Sequence, residues 1–157
     1  MSRVHYFEDF SVGQIFNTGR LKVDADQIKA FARQFDPQPF HLDEEAAKNS
    51  VFHGLAASGW HTAALTMRLM ADGEFKPAGG IIGVGFDELS WSRPVRPGDE
   101  LHAKSEILEI RPSKSRNDRG LIRARTTTYN QNDEAVQSFV GNLIVPRRKP
   151  LEQTKGL

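Results

Sequence analysis

The 157-residue chain contains no cysteine. That excludes disulfides, thiolate metal sites and a cysteine nucleophile, and it fits a reducing, cytoplasmic setting. Long apolar runs are missing too. No stretch approaches the roughly 20 apolar residues that cross a bilayer, so no membrane association is expected. The segment Met1 to Phe10 is polar and in places acidic, unlike the basic-then-apolar pattern of a secretory leader. There is no internal repeat and no low-complexity tract. An excess of one charge is also lacking, since the net charge is only +1 at pH 7.

What is present suits one soluble globular domain. Hydrophobic residues make up 38% and charged residues 26%, and a chain of this length buries enough surface for a core without covalent staples. The charge is unevenly spread: residues 1–90 carry 8 basic and 12 acidic side chains, residues 91–157 carry 13 and 8. A positive second half fits a phosphate-bearing ligand, nucleic acid or simply a solvated sheet face.

Gln14 to Leu21 reads as a first strand. Ile28, Phe31, Ala32 and Phe35 then fall on one helical stripe. Asp24 is placed to cap that helix, with Gln27 completing a capping box. Pro37 disfavours helical geometry at Asp36, so the helix ends there. Asp36-Pro37-Gln38-Pro39-Phe40-His41 is expected to be a stiff, extended turn. Asp43 caps a short helix with Glu44 and Glu45 in its first turn. Ser58 caps a further helix running to about Ala71, apolar nearly all round and so expected to be buried. Gly73, Pro77, Gly79 and Gly80 break the chain.

The rest reads as strands. Ile82, Val84 and Phe86 alternate, and the phase slips to Leu89 and Trp91, which predicts a bulge. Pro94 to Asp99 is a turn. Leu101 to Ile107, Ile122 to Thr128 and Phe139 to Val145 alternate, with a hairpin turn over Asn130 to Asp133. From Pro146 onward the chain reads as a frayed, exposed tail. One strand, helices and four long strands give an α+β fold, an antiparallel sheet covering one apolar helix.

Asp36 and His41 are the candidates for chemistry. A carboxylate and an imidazole on a proline-stiffened loop have little freedom, as general acid–base work requires; the alternative is a capping acid beside an exposed loop histidine. Phe31 to Ala47, FARQFDPQPFHLDEEAA, resembles the motif of the MaoC-like dehydratases and (R)-specific enoyl-CoA hydratases. Asp36, Pro39, His41 and Ala47 match that motif. Phe35 stands where glycine is usual and Gln38 where asparagine is usual. His53-Gly54 followed by the Ser58-capped helix is similar to the family's entry into its central helix. Pro94-Val95-Arg96-Pro97-Gly98-Asp99 is similar to its turn before a long strand. The resemblance covers roughly residues 10–146 and implies a hot-dog fold over 1–146, with 147–157 a tail.

The resemblance further implies addition of water to a 2-enoyl-CoA, or its reverse, giving an (R)-3-hydroxyacyl-CoA. Asp36 and His41 would hold the water, with Asp36 in proton exchange at C2 and the division of acid and base roles left open. The backbone N–H of Gly54 would polarise the thioester carbonyl, or Gly54 is a turn glycine. Ser58 is an N-cap with a possible polar contact in the site; no Gly-x-Ser-x-Gly elbow surrounds it. Arg93 and Arg96 are candidates for the CoA phosphates. CoA arrives as part of the substrate, so no separate cofactor is expected. A homodimer or an assembly of dimers is implied. A non-catalytic acyl-CoA-binding module and a thioesterase are the competing readings.

Other motifs are weaker. His41, His53 and His61 are irregularly spaced and lack an acid cluster, so no metal site is expected. Gly79-Gly80-Ile81-Ile82-Gly83-Val84-Gly85 precedes no helix and fails as a nucleotide loop. Arg111, Lys114, Arg116, Arg119, Arg123 and Arg125 form the densest basic stretch. With Tyr129 as its single aromatic, the stretch does not suggest nucleic-acid binding.

Overall fold

The computed structural model describes residues 3–152. Strands β1 (Ile15–Asn17), β2 (Leu21–Lys22), β3 (Ile82–Ser90), β4 (Glu100–Pro112), β5 (Arg119–Tyr129) and β6 (Ala135–Pro146) form one antiparallel sheet. Its order is β1-β4-β5-β6-β3, with β2 also paired to β4. The helix α4 (Gly59–Asp72) lies against the sheet, and the fold is the α+β hot-dog arrangement. The expected first strand is divided: residues 18–20 leave the sheet between β1 and β2, although Thr18 still bonds Ala103 through its amide and hydroxyl.

Alternation makes β4, β5 and β6 strands because it turns alternate side chains toward the interior, where they fill two apolar clusters. Leu101, Ile107, Ile122, Val136 and Val145 are wholly buried. Register shifts occur in β3 between Gly83 and Gly85 and between Asp87 and Ser90. The second is the predicted bulge; Glu88 there has φ 55°, which lets Leu89 turn inward.

Helix α1 (Ala25–Phe35) begins with the expected capping box: the Gln27 amide donates to Asp24 at 2.8 Å, and the Gln27 side chain reaches back to the Asp24 amide. Ile28 and Ala32 are its fully buried positions. The proline loop differs from expectation. Pro39–Leu42 is a helical turn, α2, rather than extended chain. Pro39 sits at its first position, where a fixed φ and a missing N–H favour a helix start. The turn hands over to α3 (Glu44–Lys48), capped by Asp43 at 2.9 Å.

Helix α4 is buried on one side only. His61, Thr62, Thr66, Leu69 and Met70 face inward, whereas Trp60 is 60% and Met67 37% exposed. Phe86 of the edge strand β3, which lines a cavity with Trp60 and Met67, is also exposed, as are Ile82 and Val84 on the same strand. The inward face is held by a polar chain. Trp91 Nε1 donates to Gln137 at 2.9 Å, and Gln137 Nε2 donates to the Thr66 hydroxyl at 3.1 Å. Thr66 spends its proton on the Thr62 carbonyl at 2.8 Å, so the Thr128 hydroxyl, 2.7 Å away, must donate to it. Thr66, Thr128 and Gln137 are completely buried, and at Thr66 no donor or acceptor is left over.

The described part of the tail is tied down rather than frayed. The Arg147 amide donates to the Asp118 carbonyl at 2.7 Å, and its guanidinium covers the ring of Phe7. Arg148 pairs with Asp9 at 2.7 Å, and Leu151 exchanges two hydrogen bonds with Asn117. Phe7 packs flush on Gly120: a Cβ there would lie 2.1 Å from the ring.

Candidate active site

Asp36 is the C-cap of α1, its amide bonded to the Ala32 carbonyl at 2.9 Å. His41 is buried in α2. The short turn between them brings Asp36 Oδ2 within 3.4 Å of His41 Nε2. The other ring nitrogen, Nδ1, lies 2.6 Å from the Ala56 carbonyl oxygen. A carbonyl only accepts, so Nδ1 carries the proton, and in the neutral ring Nε2 presents a lone pair to the carboxylate. Phe40 packs edge-on against the imidazole at 4.6 Å.

The Asp36 carboxyl titrates below its ordinary range. The Ser58 hydroxyl is the chief cause; burial opposes it, and the Gln38 amide and His41 add to the lowering. Gln38 Nε2 donates to Asp36 Oδ1 at 2.6 Å. Gln38, one of the two departures from the motif, thus serves the carboxylate directly. Ser58 does two jobs, also accepting from the Trp60 amide at 3.2 Å as the cap of α4.

Asp36 and His41 open onto a cleft of about 280 Å³ that Thr62, Trp60, Trp91 and Arg93 also line; Ser58, expected to contact substrate, is fully buried and not on that lining. Trp91 can lie against the start of α4 because residue 59 is glycine; a Cβ would meet its ring at 2.6 Å. Trp60 also lines a neighbouring apolar cavity of about 190 Å³, with Met67, Phe86, Leu89 and Phe139. Sequence reasoning passed over Gln38 as a ligand of Asp36, and it missed Thr62, Trp60 and Trp91 as cleft walls. Glycine directly after the cap was the available sign that a bulky ring crosses there.

The remaining candidates divide. Arg93 is on the rim of the cleft, half exposed, paired with Glu134 at 3.1 Å. Arg96 is turned into the protein instead: its Nη1 donates to the Gly54 and Leu55 carbonyls at 2.8 and 3.3 Å, and Nη2 to that of Phe52. A guanidinium spent on three carbonyls has little left for a phosphate. Gly54 is on the loop between two cleft residues, Phe52 and Ala57, but is not itself on the lining. Phe35 is 64% exposed and packs on Phe31, which stacks on His61 at 4.6 Å. Burial lowers the pKa of His61.

Among the described residues no three His, Asp or Glu side chains gather as metal ligands, and no helix is long and apolar enough to cross a membrane. The basic stretch is laced with acids: Arg119 meets Asp118 at 2.8 Å, Arg125 meets Glu88 at 3.3 Å and Arg123 meets Asp87 at 3.5 Å.

Residues 9–130 match the family described as MaoC like domain. A solved MaoC-like dehydratase from Rhodospirillum rubrum is 54% identical, with a TM-score of 0.90 over 92% of this chain and 99% of that one. The (R)-specific enoyl-CoA hydratase of the same organism is 30% identical over 71% of this chain and 75% of its own length. An uncharacterised Bacillus subtilis protein is 38% identical over 88% and 95%.

Proposed function

Because the chain belongs to the MaoC-like domain family, we propose that it is a hydro-lyase that adds water to a 2-enoyl-CoA, giving the (R)-3-hydroxyacyl-CoA, or catalyses the reverse. The observation that carries this reading is the pairing of two acceptors. With Nδ1 committed to Ala56, His41 Nε2 and Asp36 Oδ2 face each other across 3.4 Å. One water can donate a proton to each and keep its lone pairs for attack.

The water oxygen bonds to C3, one of its protons passes to the pair, and C2 receives a proton from the pair. Both groups thus act from one face of the double bond. Negative charge grows on the thioester oxygen in this step, and the Gly54 N–H is the group assigned to stabilise it. The acyl end runs past Trp60 into the apolar cavity, and Arg93 meets a phosphate of CoA. A second copy of the chain covers Trp60, Met67 and the exposed side of β3, making a homodimer; an uncovered apolar edge strand invites pairing.

The experiment is to mix the protein with a short 2-enoyl-CoA and follow the conjugated enoyl absorbance, then analyse the chirality of the product. Loss of absorbance with an (R)-3-hydroxyacyl product is expected. Release of free thiol would make the protein a thioesterase, and tight binding without any product would make it an acyl-CoA-binding module.

A further inference from the structure

Arg96 sits 42 residues from Gly54 in sequence, yet its planar fork collects the carbonyls of residues 52, 54 and 55. Three main-chain carbonyls aimed at one point is an unfavourable arrangement without a donor at the centre. Within the same loop His53 holds φ 55°, a left-handed conformation that costs a residue bearing a Cβ about 1 kcal/mol or more. The loop is therefore a bent shape that something must hold. Arg96 is itself fixed: its amide donates to Asp99 Oδ2 at 2.8 Å, and Gln131 occupies the other Asp99 oxygen at 3.0 Å. Among the described residues no carboxylate pairs with the guanidinium.

The next residues of that loop reach the catalytic pair. Ala56 receives His41 Nδ1 on its carbonyl and ties its own amide to Phe40 at 3.2 Å; Ala57 bonds Val95 at 2.9 Å; Ser58, the cap of α4, is the chief cause of the lowered Asp36 pKa. Gly54 lies directly under the fork, where a Cβ would be 3.3 Å from Nη1.

We infer that Arg96 is a positioning residue of the catalytic site: by clamping the carbonyls of Phe52, Gly54 and Leu55 it sets both the Ala56 oxygen that fixes the His41 tautomer and the direction of the Gly54 N–H. The inference rests on the hydratase reading for its kinetic consequence but not for its structural one. Arg96 touches no reacting atom. It acts through the loop, and its bidentate geometry is what a lysine ammonium lacks.

The test compares wild type, Arg96→Lys and Arg96→Met on an enoyl-CoA and on the same acyl group carried by N-acetylcysteamine, which has no phosphates. Misplacement of this kind costs on the order of 100-fold in rate, so kcat of Arg96→Met is expected to fall by about that much on both thioesters alike, with KM barely moved and Arg96→Lys recovering part. ¹⁵N spectra of the histidine rings should show the Nδ1–H form of His41 in wild type and a mixture in Arg96→Met. In wild type the Arg96 Nη protons should exchange slowly and rotate slowly, a readout that needs no variant to fold. A defect confined to the CoA thioester would make Arg96 a phosphate ligand and overturn the inference. So would full kcat with an unchanged His41 tautomer in Arg96→Met, or freely rotating Nη protons in wild type. If wild type hydrates no enoyl thioester, the hydratase reading fails, and the spectra alone decide the role of Arg96.

Discussion

His41 gives its Nδ1 proton to the carbonyl of Ala56, 2.6 Å away and 15 residues along the chain. That one bond selects the tautomer, orients the ring and leaves Nε2 free toward Asp36. In the Nδ1–H tautomer the unprotonated Nε2 can accept a proton, as the proposed reaction requires.

Asp36→Asn and His41→Ala should each lower kcat on a short 2-enoyl-CoA by at least on the order of 100-fold, the lower end of what a positioned proton-transfer group contributes. Circular dichroism should stay native. Full activity in either variant would remove the pair from the mechanism.

Ser58→Ala should act at two places. Losing the cap of α4 costs about 1 kcal/mol, read as a lower Tm. Losing the hydroxyl also lets the Asp36 carboxyl rise toward its ordinary range, since Ser58 is the main cause of the lowering. The wild-type value is depressed on folding, so its stabilisation is present above the unfolded value of about 3.9 and lost as pH falls through the folded one. The stability gap between wild type and variant should therefore narrow in acid, as denaturant melts between pH 7 and pH 3 would measure. A gap independent of pH would contradict the coupling.

His61 is lowered by burial, so its neutral form is the folded one. Stability is then lost as pH drops below the unfolded value of about 6.5, because the unfolded chain takes up the proton first. His61→Leu, which keeps an apolar contact on Phe31, should lose less stability than wild type between pH 7.5 and pH 5. Equal losses would show that His61 does not drive the acid sensitivity.

Gly120→Ala places a methyl 2.1 Å from the Phe7 ring. Overpacking of this size costs about 1–3 kcal/mol, and the N-terminal turn should lift from β5. Thermal melts and faster amide exchange near Phe7 would report it. An unchanged Tm would mean that the ring moves aside freely.

Val84 is 59% exposed on the edge strand β3. If a second copy covers this face, Val84→Lys should halve the mass measured by light scattering, with the fold retained. An unaltered mass would put the interface elsewhere.

Much of this was legible in the residues because the signals are local. Asp24 with Gln27, Asp43, Ser58 and the Asn130–Asp133 turn are each read within four positions, and strand alternation needs no partner. The Asp36–His41 pair was findable for the same reason: five residues and two prolines confine it. What escaped depends on contacts distant in sequence. Arg96 on a turn reads as a candidate for a CoA phosphate until the 52–55 loop, 42 residues away at Gly54, comes to it. Gln137 and Thr66 carry no local sign of their partners, because Trp91 and Thr128 reach them from distant parts of the chain. Pro39 misled because the same fixed φ suits an extended turn and the first residue of a helix.

The chain that runs from Trp91 at the cleft through the buried Gln137 and Thr66 to Thr128 also acts as a key in a lock. Greasy surfaces can slide past one another at little cost, whereas sliding α4 by one turn along the sheet would strand the Gln137 amide and the hydroxyls of Thr66 and Thr128 in the dry interior. The helix consequently has a single seat. Since the same helix begins at the serine that serves Asp36, its alignment in the core also sets the height at which the cleft is built.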